Sequence, residues 1–554
     1  MCGIWALFGI TCPEQRMSSF EKIKHRGPDA WRMEYDDNVK NCHLGFHRLA
    51  ILDCLYGMQP MKLHRYPKSV VICNGELYSY KRLQKQYNFQ YETKCDIECI
   101  LHMYHEFGIE KTVKSLDGVF AFCLVDLEKK RVFLARDPYG VRPLFRVYDE
   151  EQSSLAICSE VKGIHNFARD AQTDASLSQF QPGTWEEYSL LDNGMVKLVQ
   201  KQQYFTPGCP VAFLPAVDPK DLTSVKTAVS TLLTEACKKR LMSDRRIGCL
   251  LSGGLDSSLI AALVTKLAKA DNVPYKIQTF AIGMDGSPDL IAARKVADFI
   301  DSEHHEVKFD EKDVAEVLDQ VIYHLESYDI TTIRASVGMY MLARYIKQNT
   351  DTTVIFSGEG ADELAQGYIY FRDAPTSQDG HDESIRLLSE IYLYDGLRAD
   401  RTTAAFSLEM RVPFLDIQFT QHYLSQPLED RQPKDGLEKF LLRNAFDGHN
   451  LIPDEILWRH KEAFSDGVAS KKRSLFTILA DIIDERVTDD EFFTKSKLYT
   501  HCTPKTKESY YYRKIFEQNY PLLDHLTPYF WMPKWTDATD PSARYIKHYA
   551  AKDE

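Results

Sequence analysis

The chain has no apolar run approaching the roughly 18 residues that a membrane-spanning helix needs, so no transmembrane anchor is expected. Its thirteen cysteines show no CxxC pair and no regular spacing. That argues against a disulfide scaffold and favours a reducing, cytoplasmic compartment. Positive charge is not in excess: 80 acidic residues stand against 68 basic ones, a formal charge of −12. A broad nucleic-acid-binding surface is therefore not expected, although a local patch would be compatible with this balance. There is no internal repeat and no low-complexity segment. The apolar stretch Trp5 to Ile10 is short, has no basic residue before it and is soon followed by Pro13-Glu14, so it reads as part of the fold rather than a signal peptide. What is present is a chain of 554 residues, 44% hydrophobic and 27% charged. At about 150 residues per domain this suggests two to four folded domains and a multidomain enzyme.

Residues up to about 205 read as short strands and hairpins with a few helices, an α+β layered domain. Val70 to Cys73 is a buried strand running into Asn74-Gly75, and Phe120 to Asp126 pairs with Val132 to Ala135 through Leu127 to Lys130. Prolines 207, 210, 215 and 219 then break any helix or central strand, which places a linker at 206–221. Beyond it, strands (Ile247 to Leu251, Lys276 to Ile282, His305 to Phe309, Thr352 to Phe356) alternate with helical periods (Ser258 to Ala270, Leu290 to Ile300, Val314 to Leu325). That alternation implies a parallel, doubly wound sheet. From about residue 365 the pattern is mainly helical. The expected division is 2–205, the linker, 222–535 and a tail over 536–554.

Cys2 stands directly after the initiator methionine. Removal of Met1 would give it a thiol and a free α-amino group that can serve as base for that thiol. Asn74 and Gly75, at the end of a buried strand, offer the side-chain amide and backbone N–H that an oxyanion hole needs. Arg48, beside the strand-like Leu49-Ala50-Ile51-Leu52, could fork onto a carboxylate, and Asp96 could hold an ammonium. Each also has an ordinary reading: a turn, a surface ion pair and a helix N-cap.

Leu250 to Ser258, containing Ser252-Gly253-Gly254-Leu255-Asp256-Ser257, joins an apolar strand to a helix. Its glycines let N–H groups crowd an anion, its hydroxyls add donors, and Asp256 supplies a hard oxygen for Mg²⁺. There is no GxxxxGK[ST], so this is not the lysine-bearing phosphate loop. A second loop, Ser357 to Glu363, also follows a strand and should share the same mouth. Its Glu359, Asp362 and Glu363 would repel one another unless a cation sits among them. A capped Gly-Gly turn and a solvated acidic turn are the plain alternatives.

The first half resembles the glutamine amidotransferases with an N-terminal nucleophile, on Cys2-Gly3-Ile4, His25 to Asp29, Phe46 to Leu49, Asn74-Gly75-Glu76, Leu116-Asp117-Gly118 and Arg136 to Leu144. The serine-glycine loop resembles that of the ATP pyrophosphatases. The whole chain resembles the glutamine-hydrolysing asparagine synthetases, animal ones most closely. Gln278 to Gly283, Ser287 to Leu290, Thr331 to Ser336, Arg411 to Asp416, Lys461 to Gly467 and Asp540 to Arg544 extend the likeness.

The resemblance implies an N-terminal nucleophile hydrolase-type domain followed by an ATP-pyrophosphatase domain with a helical C-terminal part. It implies asparagine formation from aspartate, glutamine and ATP through β-aspartyl-AMP, ammonia passing between the halves through a tunnel, and a homodimer. Cys2 would be the nucleophile and Asn74 and Gly75 the oxyanion hole. Arg48, Leu49, Ala50, Ile51, Leu52, Glu76 and Asp96 would bind glutamine. Leu250, Ser252, Ile282, Ser357 and Gly358 would hold adenosine, and Ser252 to Ser257 pyrophosphate, with Lys461 neutralising phosphate charge. Asp256 and Asp362 would carry Mg²⁺, Thr331 and Arg334 would contact phosphate or aspartate, and Glu359 would orient or deprotonate the attacking ammonia. Arg136 to Leu144 would shape a turn. Departures are small: Leu77-Tyr78-Ser79-Tyr80 replaces the more usual Ile-Tyr-Asn-His, and Ala361 replaces a serine near Asp362. β-Lactam synthetases share both halves but lack the working cysteine, and hexosamine or purine amidotransferases lack the Ser252 loop. An idle glutamine sensor would not need intact motifs in both halves.

Overall fold

The computed structural model describes residues 1–10, 13–36, 39–169, 176–209, 221–460, 468 and 474–541. The chain forms two compact units. The first comprises Met1–Thr206 with Met242–Arg245 and Ala404–Glu409; the second comprises Pro207–Leu241, Arg246–Thr403 and Met410–Glu554. No described helix is long and apolar enough to cross a membrane.

The strands of the first unit are, in chain order, β1 (Gly3–Phe8), β2 (Ala30–Asp36), β3 (Val39–Arg48), β4 (Met61–Leu63), β5 (Tyr66–Leu77), β6 (Gly118–Asp126), β7 (Arg131–Arg136), β8 (Phe145–Asp149), β9 (Ser154–Cys158), β10 (Ser176–Gln179), β11 (Thr184–Leu190) and β12 (Val196–Gln203). They form two sheets, ordered β10-β8-β9-β1-β3-β2 and β12-β11-β7-β6-β5-β4. Side chains alternate faces along a strand. Val70 and Ile72 of β5 therefore share one core with Ile4, Ala6, Leu44 and Phe46 of the other sheet. Val71 and Cys73 point the other way, onto Leu83 of α1 (Tyr80–Tyr87) and Ile100 and Leu101 of α2 (Glu98–Ser115). A strand covered on both faces is apolar throughout, hence the unbroken run Val70 to Cys73.

Two sequence expectations change here. β5 continues through Leu77, so Asn74-Gly75-Glu76 is ladder rather than strand end or turn; Asn74 pairs with Ala121 and Gly75 with Phe120. Leu49 to Leu52 is not a strand, because β3 ends at Arg48. Its first N–H groups go elsewhere, Leu49 to the Cys2 sulfur and Ala50 to the Asp29 carboxylate. Arg136 to Leu144 is the expected structural turn. Arg136 donates to the carbonyls of Gly140, Arg142 and Phe180, while Asp137 accepts from Tyr139, Val141 and Arg142.

The sheet of the second unit is made of β13 (Arg246–Leu250), β14 (Gln278–Gly283), β15 (Glu303–Lys308), β16 (Thr352–Phe356) and β17 (Glu409–Arg411, of which Met410 and Arg411 belong to this unit), in the order β15-β14-β13-β16-β17. β13 is parallel to both β14 and β16, and β14 to β15. The chain winds outward from β13 through β15 and then returns to β13's other side as β16. The switch point thus lies between β13 and β16, the place where doubly wound sheets bind ligands at their carboxyl ends. α3 (Leu255–Ala270) follows β13 and α4 (Ala361–Leu364) follows β16. α3 begins three residues earlier than its periodicity suggested, so Asp256 and Ser257 stand in its first turn.

Candidate active sites

In the first unit Cys2 enters β1 half-buried. Its sulfur accepts the Leu49 N–H at 3.4 Å, and Arg26 Nε fixes its carbonyl at 3.0 Å. Arg26 is itself held by Glu160 at 2.7 Å in a fully buried pair. Burial pushes the Cys2 thiol up; the neighbouring ammonium and the Leu49 N–H pull it down. That ammonium is on Met1, which burial lowers to about 6 against the opposing pull of Glu409, 3.9 Å away. Use of Cys2's own amine requires removal of Met1.

Asn74 lies on the same face of β5 as Val70 and Ile72, toward the core that Cys2 borders. Its amide is wholly buried, and neither Nδ2 nor Oδ1 has a hydrogen-bond partner. Leaving such a group unpaired costs on the order of 1–3 kcal/mol, which a bound oxyanion would relieve at the Nδ2 donor. Gly75 must be glycine: a Cβ there would meet the Val119 carbonyl at 2.4 Å. Glu76 and Asp96 are buried, and Asp96 Oδ2 accepts the Leu77 N–H at 2.6 Å. Arg48 is neither a surface ion pair nor open. Its guanidinium donates to the carbonyls of Leu52, Asp53 and Cys54, binding the loop that follows Ile51.

In the second unit a cavity of about 310 Å³ opens at the switch point, lined by the ends of β13, β14 and β16. Leu250 and Ile282 form its apolar wall, beside Ser357 and Gly358. Ser252 Oγ lies 3.0 Å from Ser257 Oγ, and the Gly254 N–H donates to Ser252 Oγ at 3.3 Å, so the loop's hydroxyls and this N–H are gathered at one point beside the cavity. The two loops touch where Gly358 has no side chain; a Cβ there would lie 2.8 Å from that of Asp256. This contact brings Asp256 and Asp362 together, and both reach the ammonium of Lys439, Asp362 at 2.7 Å. Oδ1 of Asp256 is buried without a hydrogen bond. Two hard oxygens from separate loops converging on one cation fit Mg²⁺.

Glu359 lines the cavity and pairs with Arg398 at 2.9 Å, which also grips Asp395 at 2.7 Å. The Tyr368 hydroxyl donates to Glu363 at 2.7 Å and to Asp395 at 3.1 Å. Burial, Asp395 and Asp362 push the Glu363 carboxyl well above its usual range. Thr331 lines the cavity with its hydroxyl unpartnered. Arg334 lines it too, but its guanidinium is spoken for: Glu508 and Asp540 take it through Nε and both terminal nitrogens at 2.6–2.9 Å. Lys461 lies outside the described residues.

Sequence reasoning missed Lys439, Arg398, Asp395 and Tyr368. Only Asp395 and Arg398 carry a signal, an i, i+3 acid–base pair; a solitary lysine or tyrosine in a helical region carries none.

A thiol amidase site and a nucleotide-type cleft in one chain define a two-part amidotransferase, one half releasing nitrogen and the other activating its acceptor. The profile of the glutamine amidotransferase domain matches residues 1–209, and that of asparagine synthase matches 228–384 and 372–538. Asparagine synthetase (glutamine-hydrolyzing) of Gallus gallus is 53% identical over 558 residues, covering 99% of each chain. The Bos taurus protein of that name is 53% identical over 100% of this chain and 99% of its own, and the Homo sapiens one 52% over 99% of both. The chain belongs to the asparagine synthase family.

Proposed function

We propose that this protein makes L-asparagine from L-aspartate, with L-glutamine as nitrogen donor and ATP as activator. Its full-length kinship to proteins named for that reaction carries the reading, and the geometry of both units supports it. In the first half (2–205) the Cys2 thiolate attacks the glutamine amide. Ammonia leaves, and water then frees glutamate from the thioester. Asn74 Nδ2 and the Gly75 N–H stabilise the oxyanion. Arg48 and the residues after it, with Glu76 and Asp96, hold the substrate's charged groups.

In the second half (222–535) the β-carboxylate of aspartate attacks the α-phosphate of ATP, and pyrophosphate departs into the Ser252–Ser257 loop. Leu250, Ile282, Ser357 and Gly358 hold the adenosine. Asp256 and Asp362 would hold Mg²⁺, which when bound neutralises phosphate charge. Ammonia passed from the first half displaces AMP, with Glu359 taking its proton. Lys461 would sit on phosphate. Arg334, committed to two carboxylates, positions the Asp540 segment at the rim rather than binding phosphate, and Thr331 keeps its hydroxyl for substrate. Reduced cysteines fit a cytoplasmic enzyme.

Incubation with glutamine, aspartate and ATP tests this: asparagine, glutamate, AMP and pyrophosphate should form in equal amounts. ADP and phosphate in place of AMP and pyrophosphate would overturn it.

A further inference from the structure

Asp53 stands at an unusual point. It is a non-glycine residue at φ +49, a region that aspartate tolerates better than most side chains. It is 8% exposed, and its polar groups are used in four directions. Oδ1 accepts the Tyr56 N–H at 3.1 Å, and the carbonyl accepts the Gly57 N–H at 3.1 Å and Arg48 Nη2 at 2.5 Å. These close the loop around the guanidinium. Oδ2 accepts the Lys94 N–H at 2.8 Å, so the same carboxylate grips a second segment two residues before Asp96. Its own N–H donates to Asp244 Oδ2 at 2.9 Å.

Asp244 and Arg245 come from the short segment between the helix Leu222–Lys239 and β13, yet they belong to the first unit. The Asp244 N–H donates to the Ile51 carbonyl at 2.9 Å and Arg245 Nε to that of Ala50 at 2.8 Å. Arg245 Nη2 meets Asp29 Oδ2 at 2.9 Å, the same oxygen that accepts the Ala50 N–H at 2.8 Å. Every one of these bonds falls on residue 29 or on residues 50–53.

We propose that Asp53 is a positioning residue for glutamine, setting Arg48 and Asp96 at a fixed separation, and that Asp244 and Arg245, from beyond residues 206–221, hold it there. This rests on the reading that Arg48 and Asp96 grip the carboxylate and ammonium of glutamine. Arginine is long and flexible, so a loop that fixes it lowers the entropy lost on binding. Asp53 touches no reacting atom, so its effect belongs in substrate affinity rather than in the bond-breaking step.

The test uses the full chain with Asp53→Ala, Asp53→Asn, Asp244→Ala and Asp244→Asn. Asp53→Ala removes the acceptors for Tyr56 and Lys94 together, and the KM for glutamine should rise at least about tenfold with glutaminase kcat within about threefold. Asp53→Asn keeps one carbonyl acceptor and should fall between wild type and alanine. Asp244→Ala should raise KM about threefold to fivefold, and Asp244→Asn, which still accepts the Asp53 N–H, should restore it. Synthesis from added ammonium is the control and should not move. An unchanged KM in Asp53→Ala, a loss in kcat alone, or asparagine variants no better than alanine would overturn the proposal. If Asp53→Ala does not fold, the Asp244 pair decides by the same criteria. Wild-type protein that fails to hydrolyse glutamine would instead overturn the functional reading itself.

Discussion

Asn74 is a buried amide that folding leaves without a partner, an arrangement that a bound ligand would relieve. Asn74→Ala should lower glutaminase kcat by about 10²–10³ with little change in KM, since the lost bond strengthens only in the transition state. Because the amide also costs stability, the thermal midpoint should not fall, and a calorimetric scan beside the kinetics checks both halves. Residues of this kind were legible in the sequence because position marked them: Cys2 by standing second, Asn74-Gly75 by following a β-branched run, Asp256 and Asp362 by sitting in glycine loops. Lys439 was not, because a lone lysine is by default a surface charge. Arg334 was legible as special but not in its use. Its partners, Glu508 and Asp540, lie 174 and 206 residues away, a pairing that only tertiary structure reveals.

At the scale of elements, the alternation of strands and helices between residues 246 and 356 is readable because the inner parallel strands carry apolar runs and their helices keep a clean period, although the edge strand β15 (Glu303–Lys308) is mostly polar. The remainder is less so. β17 is three residues long at a sheet edge, too short for a period. Asp416 shows what holds such segments. It caps the helix Ile417–Leu424 through Gln418 and Phe419, and it pairs with Lys239 and Arg240 at the end of the helix Leu222–Lys239. Burial alone would raise its pKa, but the two cations overcome this and hold it at about 2. A carboxyl lowered on folding adds stability above its unfolded value, 3.8, and loses it as pH falls toward 2. The shift corresponds to about 2 kcal/mol. Asp416→Asn should therefore destabilise the protein by about 2 kcal/mol or more at pH 7. Denaturant titrations at pH 7, 4 and 3 should show the gap from wild type narrowing only below pH 4.

At the scale of the whole molecule, the two halves should be separable by one residue each. Cys2→Ala should abolish glutamine-dependent synthesis and spare synthesis from ammonium; Glu359→Ala should spare glutaminase and block asparagine formation. Mixing the two variants asks how nitrogen travels. Free ammonia is mostly protonated at neutral pH and then has no lone pair with which to attack. If ammonia moves within one chain, wild-type protein should make asparagine from glutamine undiminished when an ammonia-consuming enzyme is added. The mixture has no chain with both sites intact, so its nitrogen must cross bulk solvent, and the same scavenger should silence it. Equal inhibition of wild type and mixture would show that ammonia is released and recaptured, and would remove the reason for joining these two halves in one chain. The acidic net charge does not oppose any of this. On the proposed function, glutamine would meet a fixed guanidinium in one half, and the anions ATP and aspartate would meet local donors and cations in the other, so the fields that matter would be those of single residues held in place by the fold.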